Sequence, residues 1–224
     1  MAWLDFFSEQ KKPKWDFIET YEAGFEKKIP GLRPISQLSF VVLDTETTGL
    51  DHKKDDILSF GAVKVKGYRF SLVDSLELYL ESSIQNPEAI QVHEILQQRN
   101  TVPQEVFARK FLEFVGQDIL VGHHVGFDWA MLEKACKPFG LKKLLNPVLD
   151  THQLAIRLEK GPHFDSSMGI PGEYALDNLC ERYGIALDDR HTAAGDAFLT
   201  AQLLMKLLKK AEGKGIKDFA SLMR

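Results

Sequence analysis

The chain has 224 residues, of which 44% are hydrophobic and 27% are charged, and its formal net charge is −4. This composition predicts one globular domain, with or without an appendage, and excludes a surface that is basic throughout. No apolar run approaches the roughly 20 residues of a membrane helix, and acids interrupt the first apolar patch, unlike a signal peptide. The two cysteines, Cys136 and Cys180, predict reduced core residues, so we expect a cytoplasmic location.

Residues 1–37 differ from the rest of the chain because they are rich in aromatic side chains. Several apolar positions recur at helical spacing: Trp15, Ile18, Tyr21 and Phe25. A stretch rich in proline and glycine, from Pro30 to Pro34, ends this pattern. We therefore predict an N-terminal helical arm over residues 1–37. It would pack on the main domain, residues 38–224, or on a second copy of the chain to form a homodimer.

The first part of the main domain predicts three strands. An apolar run from Phe40 leads into Asp44, and two further strands are expected over Asp56–Lys66 and Leu72–Leu80. Gly67 and Tyr68 lie in the turn between the last two. Short connections of this kind indicate an antiparallel meander.

The remainder of the chain alternates short strands with helices. The strands are predicted over Asp118–Gly122 and Pro147–Asp150. The helices are predicted over Pro103–Val115, Asp128–Phe139, residues 151–158, Leu176–Tyr183 and Thr192–Ala211. Together these elements predict an α/β fold with a mixed sheet, three antiparallel strands followed by parallel strands, and helices on both faces.

Two carboxylates stand at the end of the first predicted strand. Asp44 and Glu46 are two residues apart, so both side chains project from one face, at a rim where open α/β sheets bind ligands. Two further acids, Asp128 and Asp196, lie at or near helix starts, and His191 precedes the last helix. Each has a plainer explanation when taken alone: a strand end in solvent, a helix cap or dipole partner, or a loop histidine.

Taken together, these residues predict a metal site. Carboxylate oxygens are hard ligands that suit Mg²⁺ or Mn²⁺, and the chain has no cluster of Cys and His typical of zinc. Two divalent ions about 4 Å apart are a common arrangement for phosphodiester cleavage. Four carboxylates would balance the charge of two such ions.

The motifs D-x-E-T-T-G, H-x-x-x-F-D and H-x-A-x-x-D-A, in this order, resemble the DEDDh branch of the DnaQ-like 3′→5′ exonucleases. The resemblance extends over roughly residues 38–208. This family includes the proofreading subunit of the bacterial replicative DNA polymerase and RNase T. The resemblance implies an RNase H-like fold and cleavage of single-stranded nucleic acid from its 3′ end to nucleoside 5′-monophosphates, with DNA as the leading substrate.

The resemblance also implies residue roles and cofactors. Asp44, Glu46 and Asp196 would hold one Mg²⁺ or Mn²⁺ ion, and Asp44 would bridge to a second ion supported by Asp128. His191 would take a proton from the attacking water. Four further residues are expected to contact the terminal nucleotide: Thr47, Gly49, Leu50 and His93.

Two departures from the family pattern concern the surroundings of the site. His123 and His124 stand where many relatives have His-Asn, and Glu94 stands where they have glycine after His93. We expect His123 and His124 to be core or supporting residues, with metal ligation as the lesser alternative.

Two other functions remain open from the sequence. One is RNA trimming by an exoribonuclease with the same chemistry. The other is an interaction subunit that binds a polymerase or a sliding clamp, because the stretch Ile35–Phe40 (ISQLSF) weakly resembles a clamp-binding peptide. That stretch runs into the first predicted strand, which favours a structural role.

Overall fold

The computed structural model describes residues 14–81, 100–165 and 169–224. Six strands form one sheet: β1 Ser39–Thr47, β2 Ile57–Lys66, β3 Arg69–Leu80, β4 Thr101–Val102, β5 Ile119–Gly122 and β6 Val148–Asp150. Their order across the sheet is β4-β3-β2-β1-β5-β6. β1, β2 and β3 are antiparallel neighbours, whereas β5 and β6 continue the sheet in parallel with β1. The predicted mixed sheet is therefore confirmed, and β4, which pairs in parallel with β3, was not predicted.

Helices cover both faces of this sheet, as the sequence predicted. They are α1 Asp16–Ala23, α2 Gln104–Val115, α3 Gly126–Cys136, α4 Thr151–Lys160, α5 Leu176–Arg182, α6 Ala193–Gly213 and α7 Phe219–Leu222. α1, α2 and α3 bury apolar side chains against one face, and α4 to α7 do so against the other. Within the described ranges, no helix is long and apolar enough to cross a membrane. Cys136 and Cys180 are buried and unbridged, as expected.

Successive side chains of β1 point to opposite faces of the sheet and so pack against both layers of helices. Phe40 and Val42 point into the core beneath α4 to α7, whereas Val41 and Leu43 point into the core beneath α1, α2 and α3. The strand continues past Asp44 because its pairing with β2 persists through Glu46 opposite Ser59. Its last residues therefore keep the alternating directions of a strand.

The predicted helix of the arm is present as α1, which packs on the chain's own domain. Phe17, Ile18 and Tyr21 are buried. The Tyr21 hydroxyl donates a hydrogen bond to Asn146 Oδ1 at 2.6 Å and accepts one from the backbone N–H of Leu145 at 2.8 Å. Residues 1–13 lie outside the described residues, and the division of the chain at residue 37 stays a prediction.

The stretch that resembles a clamp-binding peptide is built into the core. Ile35 and Phe40 are fully buried and Leu38 is 2% exposed. The stretch forms a 3₁₀ turn, Ile35–Gln37, that leads directly into β1. Its apolar side chains therefore pack in the core of the domain and are not exposed for a partner to bind.

One helix differs from its prediction by more than two residues at an end. The helix expected over Asp128–Phe139 begins at Gly126 and ends at Cys136, and a 3₁₀ turn, Lys137–Phe139, follows it. Pro138 explains the change because it has no backbone N–H to continue the α-helical hydrogen bonds. Gly140 then ends the turn with a φ of 99°.

Candidate active site

The end of β1 places Asp44 and Glu46 on the face of the sheet that α6 covers. Both follow the direction of Phe40 and Val42, and both are partly buried. Asp44 lies opposite Gly61 of β2. The predicted arrangement of two carboxylates on one face at the rim of the sheet is therefore present.

α6 brings the third carboxylate to the same place. Thr192 caps this helix, since its Oγ1 accepts a hydrogen bond from the backbone N–H of Gly195 at 3.0 Å. Asp196 follows in the first turn and is only 9% exposed. A Cβ at Gly61 would collide with the backbone of Ala193. Glycine at position 61 therefore allows α6 to approach the sheet closely enough for Asp196 to reach Asp44 and Glu46.

These three residues form the carboxylate cluster of the protein. Asp44, Glu46 and Asp196 each offer an oxygen, and the three oxygens lie within 4.8 Å of one another. Like charges this close repel unless cations lie among them. Hard oxygen donors in such proximity fit Mg²⁺ or Mn²⁺, so the donor set agrees with the predicted cofactor.

Asp128 approaches the cluster from the opposite face of the sheet. It lies in the first turn of α3 and is 7% exposed. Its Oδ1 accepts a hydrogen bond of 2.6 Å from the hydroxyl of Thr45, the residue between Asp44 and Glu46. Asp128 is not one of the three residues with mutually close oxygens, but its charge acts on Asp44. The structure thus brings three predicted acids together and holds the fourth beside them through Thr45.

The proximity of these acids changes their ionisation. Burial, followed by the charges of Asp128, Asp196 and Glu46, raises the pKa of Asp44 to about 9. Burial and the Asp196 charge also raise the pKa of Glu46 above its ordinary value. The pKa of Asp128 is raised to about 6 by burial, against the lowering effect of the Thr45 hydrogen bond. Such shifts are typical of sites where charge is concentrated for function.

Arg190 is a member of this site that the sequence did not reveal. Its Nη1 donates to Asp196 Oδ1, and its Nε donates to Asp177 Oδ1 at the start of α5. The guanidinium therefore supplies positive charge to the cluster. Its only sequence signal was its position immediately before His191.

His191 lies at the edge of the cluster and is exposed to solvent. The pKa of Glu46 is raised by burial and by Asp196, and a positive charge on His191 would oppose this rise, which places the imidazole within electrostatic reach of that carboxylate. His191 has a φ of 64°, and Asp189 has a φ of 54°, so both flank Arg190 in the left-handed region. Non-glycine residues in this region are uncommon and are enriched at functional sites.

The loop after β1 contains the predicted nucleotide-binding residues. The Thr47 hydroxyl donates to the carbonyl oxygen of Gly49 at 2.7 Å, and Leu50 is 88% exposed. Asp55, which belongs to no motif of the sequence, holds this loop. Its Oδ1 accepts from the Thr48 hydroxyl at 2.9 Å, and its Oδ2 accepts from the backbone N–H of Asp51 at 2.7 Å. His93 lies outside the described residues, so its predicted contact is not placed.

The two histidines that depart from the family pattern occupy different environments. The His123 ring contacts Thr151 Oγ1 at 2.9 Å through Nδ1 and the Tyr174 carbonyl oxygen at 3.0 Å through Nε2. Both ring nitrogens of His123 are therefore engaged within the protein. His124 is exposed and has a φ of 60°, a conformation that asparagine also adopts readily.

Comparisons with known proteins indicate the family of the chain. The family model RNase_T, described as "Exonuclease", matches residues 41–204. The chain is 35% identical over 192 residues to the PolC-type DNA polymerase III of Bacillus subtilis. This alignment covers 83% of the chain and 12% of that polymerase. It is also 34% identical over 193 residues to DNA polymerase III subunit epsilon of Aquifex aeolicus. This second alignment covers 83% of the chain and 89% of that subunit.

Among solved structures, E. coli exonuclease I in complex with a dT13 oligonucleotide has a TM-score of 0.64 at 18% identity. The match covers 80% of this chain and 43% of that enzyme, and it supports the predicted fold. The family match extends over β1 and most of α6, the elements that carry the three clustered carboxylates. The chain therefore belongs to the RNase T exonuclease family, and the DnaQ-like nuclease predicted from its motifs is confirmed.

Proposed function

We propose that this protein is a metal-dependent 3′→5′ exonuclease that hydrolyses single-stranded DNA to nucleoside 5′-monophosphates. The observation that carries the proposal is the cluster of Asp44, Glu46 and Asp196, whose oxygens lie within 4.8 Å of one another at the rim of the sheet. DNA is the favoured substrate because one relative is a subunit of DNA polymerase III and the other is a PolC-type DNA polymerase III, of which this chain matches one segment.

The cluster is the proposed cation site. Asp44, Glu46 and Asp196 would hold one Mg²⁺ or Mn²⁺ ion, and Asp128 would support a second ion beside Asp44. When bound, these ions supply the positive charge that lets a phosphate approach four carboxylates and that stabilises the leaving oxygen. Asp128 suits a supporting role because the Thr45 hydroxyl fixes its orientation.

His191 is the proposed general base. Its exposed imidazole lies near Glu46 and can pass a proton to solvent after taking it from the attacking water. The water oxygen forms a bond to phosphorus, and the bond from phosphorus to the 3′ oxygen of the preceding nucleotide breaks. The preceding nucleotide keeps a new 3′-hydroxyl, and the terminal nucleotide leaves with its 5′-phosphate.

The loop after β1 supports cleavage from a 3′ end. The backbone at Gly49 lies close to the Asp55 carboxylate, and a Cβ at this position would be only 2.7 Å from Asp55 Oδ2. Glycine therefore permits this close approach. Leu50 presents an exposed apolar side chain in the loop that follows Glu46, which suits contact with a base. A terminal nucleotide held here would have its 5′-phosphate at the carboxylates. Together with His93, this loop would select the free 3′-hydroxyl.

The proposal is tested by digesting 5′-labelled single-stranded DNA and RNA of the same sequence. We expect Mg²⁺-dependent shortening of DNA from the 3′ end, and we expect a 3′-phosphate to slow it strongly. Asp44→Ala should abolish turnover because Asp44 contributes to both proposed ion positions. Asp74→Ala, an exposed acid on β3, is the matched control and should retain full activity.

Several outcomes would contradict this function. Undiminished digestion in EDTA, or by the Asp44→Ala variant, would exclude the metal site. Rapid cutting of a circular single strand would exclude exonucleolytic action. Faster degradation of RNA than of DNA would assign the same site to RNA trimming.

A further inference from the structure

Three histidines lie at the same rim of the sheet as the carboxylates, and the proposed mechanism does not use them. His123 and His124 follow β5, and His152 lies in the first turn of α4, directly after β6. β5 and β6 run parallel to β1 as its first and second neighbours on that side. Strands in a sheet are spaced about 4.8 Å apart, so these rings begin roughly 5–10 Å along the rim from Asp44.

The rings form one packed group. His124 and His152 lie with ring centroids 3.9 Å apart and an angle of 36° between their planes. The His123 ring is nearly perpendicular to both, at centroid distances of 5.0 Å to His124 and 5.7 Å to His152, with angles of 83° in each case. Tyr174 adds a further edge contact to His152 at 6.2 Å.

The backbone beneath this group is held by a single carboxylate. Asp150 Oδ1 accepts hydrogen bonds from the backbone N–H groups of His124, at 3.2 Å, and His152, at 2.9 Å. The second of these bonds also caps α4. The two rings are therefore attached to positions that are fixed relative to each other before any ligand arrives.

His123 is the support of the group. Burial lowers the pKa of His123 to about 4, so its ring is neutral at pH 7. Its Nε2 donates to the Tyr174 carbonyl oxygen at 3.0 Å, and its Nδ1 lies 2.9 Å from the oxygen of the Thr151 hydroxyl, which donates to the Gly122 carbonyl oxygen. His124 is exposed and His152 is half-buried, so these two present ring surface to solvent.

A stacking surface fits this geometry better than a cation site. The described residues with three mutually close ligand atoms are Asp44, Glu46 and Asp196, and no histidine is among them. Asp150 Oδ1 is already occupied by two backbone N–H groups. Histidine rings stack on the bases of single-stranded nucleic acids, and such stacking tolerates any base sequence.

We propose that His124 and His152 form a stacking platform for a base of the single strand, upstream of the terminal nucleotide. This inference rests on the proposed function, because it assigns the second contact of the same substrate. The loop after β1 holds the terminal nucleotide, and the platform holds a base further along the rim. The platform therefore makes affinity depend on the length of the strand, without touching the reacting phosphate.

The platform is tested by binding rather than by turnover. Fluorescence anisotropy measures the affinity for an eight-nucleotide 5′-labelled oligothymidylate, in Ca²⁺ in place of Mg²⁺, with a gel to verify that the strand stays intact. Parallel strands carry one abasic residue at the second, third or fourth position from the 3′ end. We expect one of these positions to weaken binding about tenfold, the scale of one lost base–aromatic stack.

The variants separate stacking from folding. His152→Ala should weaken binding of the intact strand about tenfold, and His152→Phe should restore it because a phenyl ring also stacks. His124→Asn removes the ring while tolerating the left-handed backbone, and should behave like His152→Ala. His163→Ala, an exposed histidine outside the group, should bind as the unmodified protein does.

Two further measurements decide the inference. In His152→Ala, the sensitive abasic position should cause no additional loss, because both changes remove the same contact. The kcat/KM for the p-nitrophenyl ester of thymidine 5′-phosphate should be unchanged, since this substrate is too short to reach the platform. Equal binding of all abasic strands, additive losses, or an equal loss on the short ester would overturn the platform. Absence of nuclease activity on every substrate would instead contradict the proposed function, and the anisotropy comparison would still decide the platform.

Discussion

His191 and Arg190 are adjacent residues at the edge of the carboxylate cluster, and we propose different roles for them. The exposed imidazole of His191 suits proton transfer, whereas the guanidinium of Arg190 pairs with Asp196 and Asp177. Both depend on a loop in which Asp189 and His191 adopt left-handed backbone angles. Substitutions at these positions should therefore affect different measurable properties.

We expect His191→Ala to reduce turnover by about 10²–10⁴-fold, because removal of a general base typically costs that much. His191→Asn should lose a similar amount although asparagine tolerates the left-handed backbone, which separates chemistry from strain. The loss should shrink as pH rises because hydroxide becomes more abundant. Measured kcat values near those of the unmodified protein at pH 7, in folded variants, would assign His191 a purely structural role.

Arg190→Gln should destabilise the metal-free protein by about 1–3 kcal/mol, because it removes charge-assisted hydrogen bonds from a buried carboxylate. Added Mg²⁺ should recover more stability in this variant than in the unmodified protein, since the cation replaces the missing positive charge. Thermal melting with and without Mg²⁺ measures both effects. Asp177→Asn is the matched control because it removes the negative charge from the outer contact alone and leaves the Asp196 pair in place. Equal melting behaviour of Arg190→Gln and Asp177→Asn would contradict this role.

At the scale of elements, the active site depends on the close approach of α6 to β2. Gly61→Val should push the helix outwards, because any Cβ at this position meets the backbone of Ala193. Overpacking of this kind costs about 1–3 kcal/mol in stability, and a displacement of about 1 Å can lower turnover about 100-fold. Gly213→Ala, at the other end of α6, is the control because a Cβ there meets nothing within 4 Å. Denaturant melts and kcat values of both variants check the expectation, and full activity of Gly61→Val would refute it.

The elements that were predictable from the sequence are those with a regular period. Asp44 and Glu46 share a face because every strand alternates, and apolar positions at helical spacing indicated α6. Alternation does not reveal which helix covers which face, so the approach of Asp128 from the opposite side through Thr45 was not foreseen. β4 has two residues, which is too short for any pattern to be recognised.

The contacts made by loop residues of the site could not be predicted from the sequence. The direction of Arg190 follows from left-handed angles at Asp189 and His191, and neither residue is a glycine that would have indicated such a turn. Asp55 holds the loop after β1 from a position beyond it, where no motif marked it. The residue types of the site were therefore readable from the sequence, whereas the contacts that orient them required the fold.

At the scale of the whole molecule, the concentrated acids should link stability to pH. Burial and the neighbouring charges raise the pKa of Asp44 from 3.8 to about 9. A carboxyl group that binds its proton more tightly in the folded state stabilises the fold fully below its unfolded pKa, near 3.9. This contribution is lost as pH rises towards 9, so the metal-free protein should melt at progressively lower temperature across that window.

Calorimetry in EDTA and in Mg²⁺ between pH 5 and 9 tests this linkage. Asp44→Asn cannot ionise, so we expect it to flatten the dependence of the melting temperature on pH in EDTA. Mg²⁺ should raise the melting temperature of the unmodified protein more at high pH than at low pH, because it binds the ionised carboxylates. A dependence on pH that is identical in Asp44→Asn and in the unmodified protein would show that other groups control stability.

The carboxylate cluster draws its members from distant parts of the chain. Asp44 and Glu46 belong to the first strand, whereas Asp196 belongs to the long helix near the other end. A ribosome synthesises the chain from its N-terminus at about 5–20 residues per second, so β1 emerges well before α6. A growing or prematurely terminated chain therefore carries the first two acids without the third. We therefore expect nuclease activity only once α6 has been synthesised and has packed on the sheet.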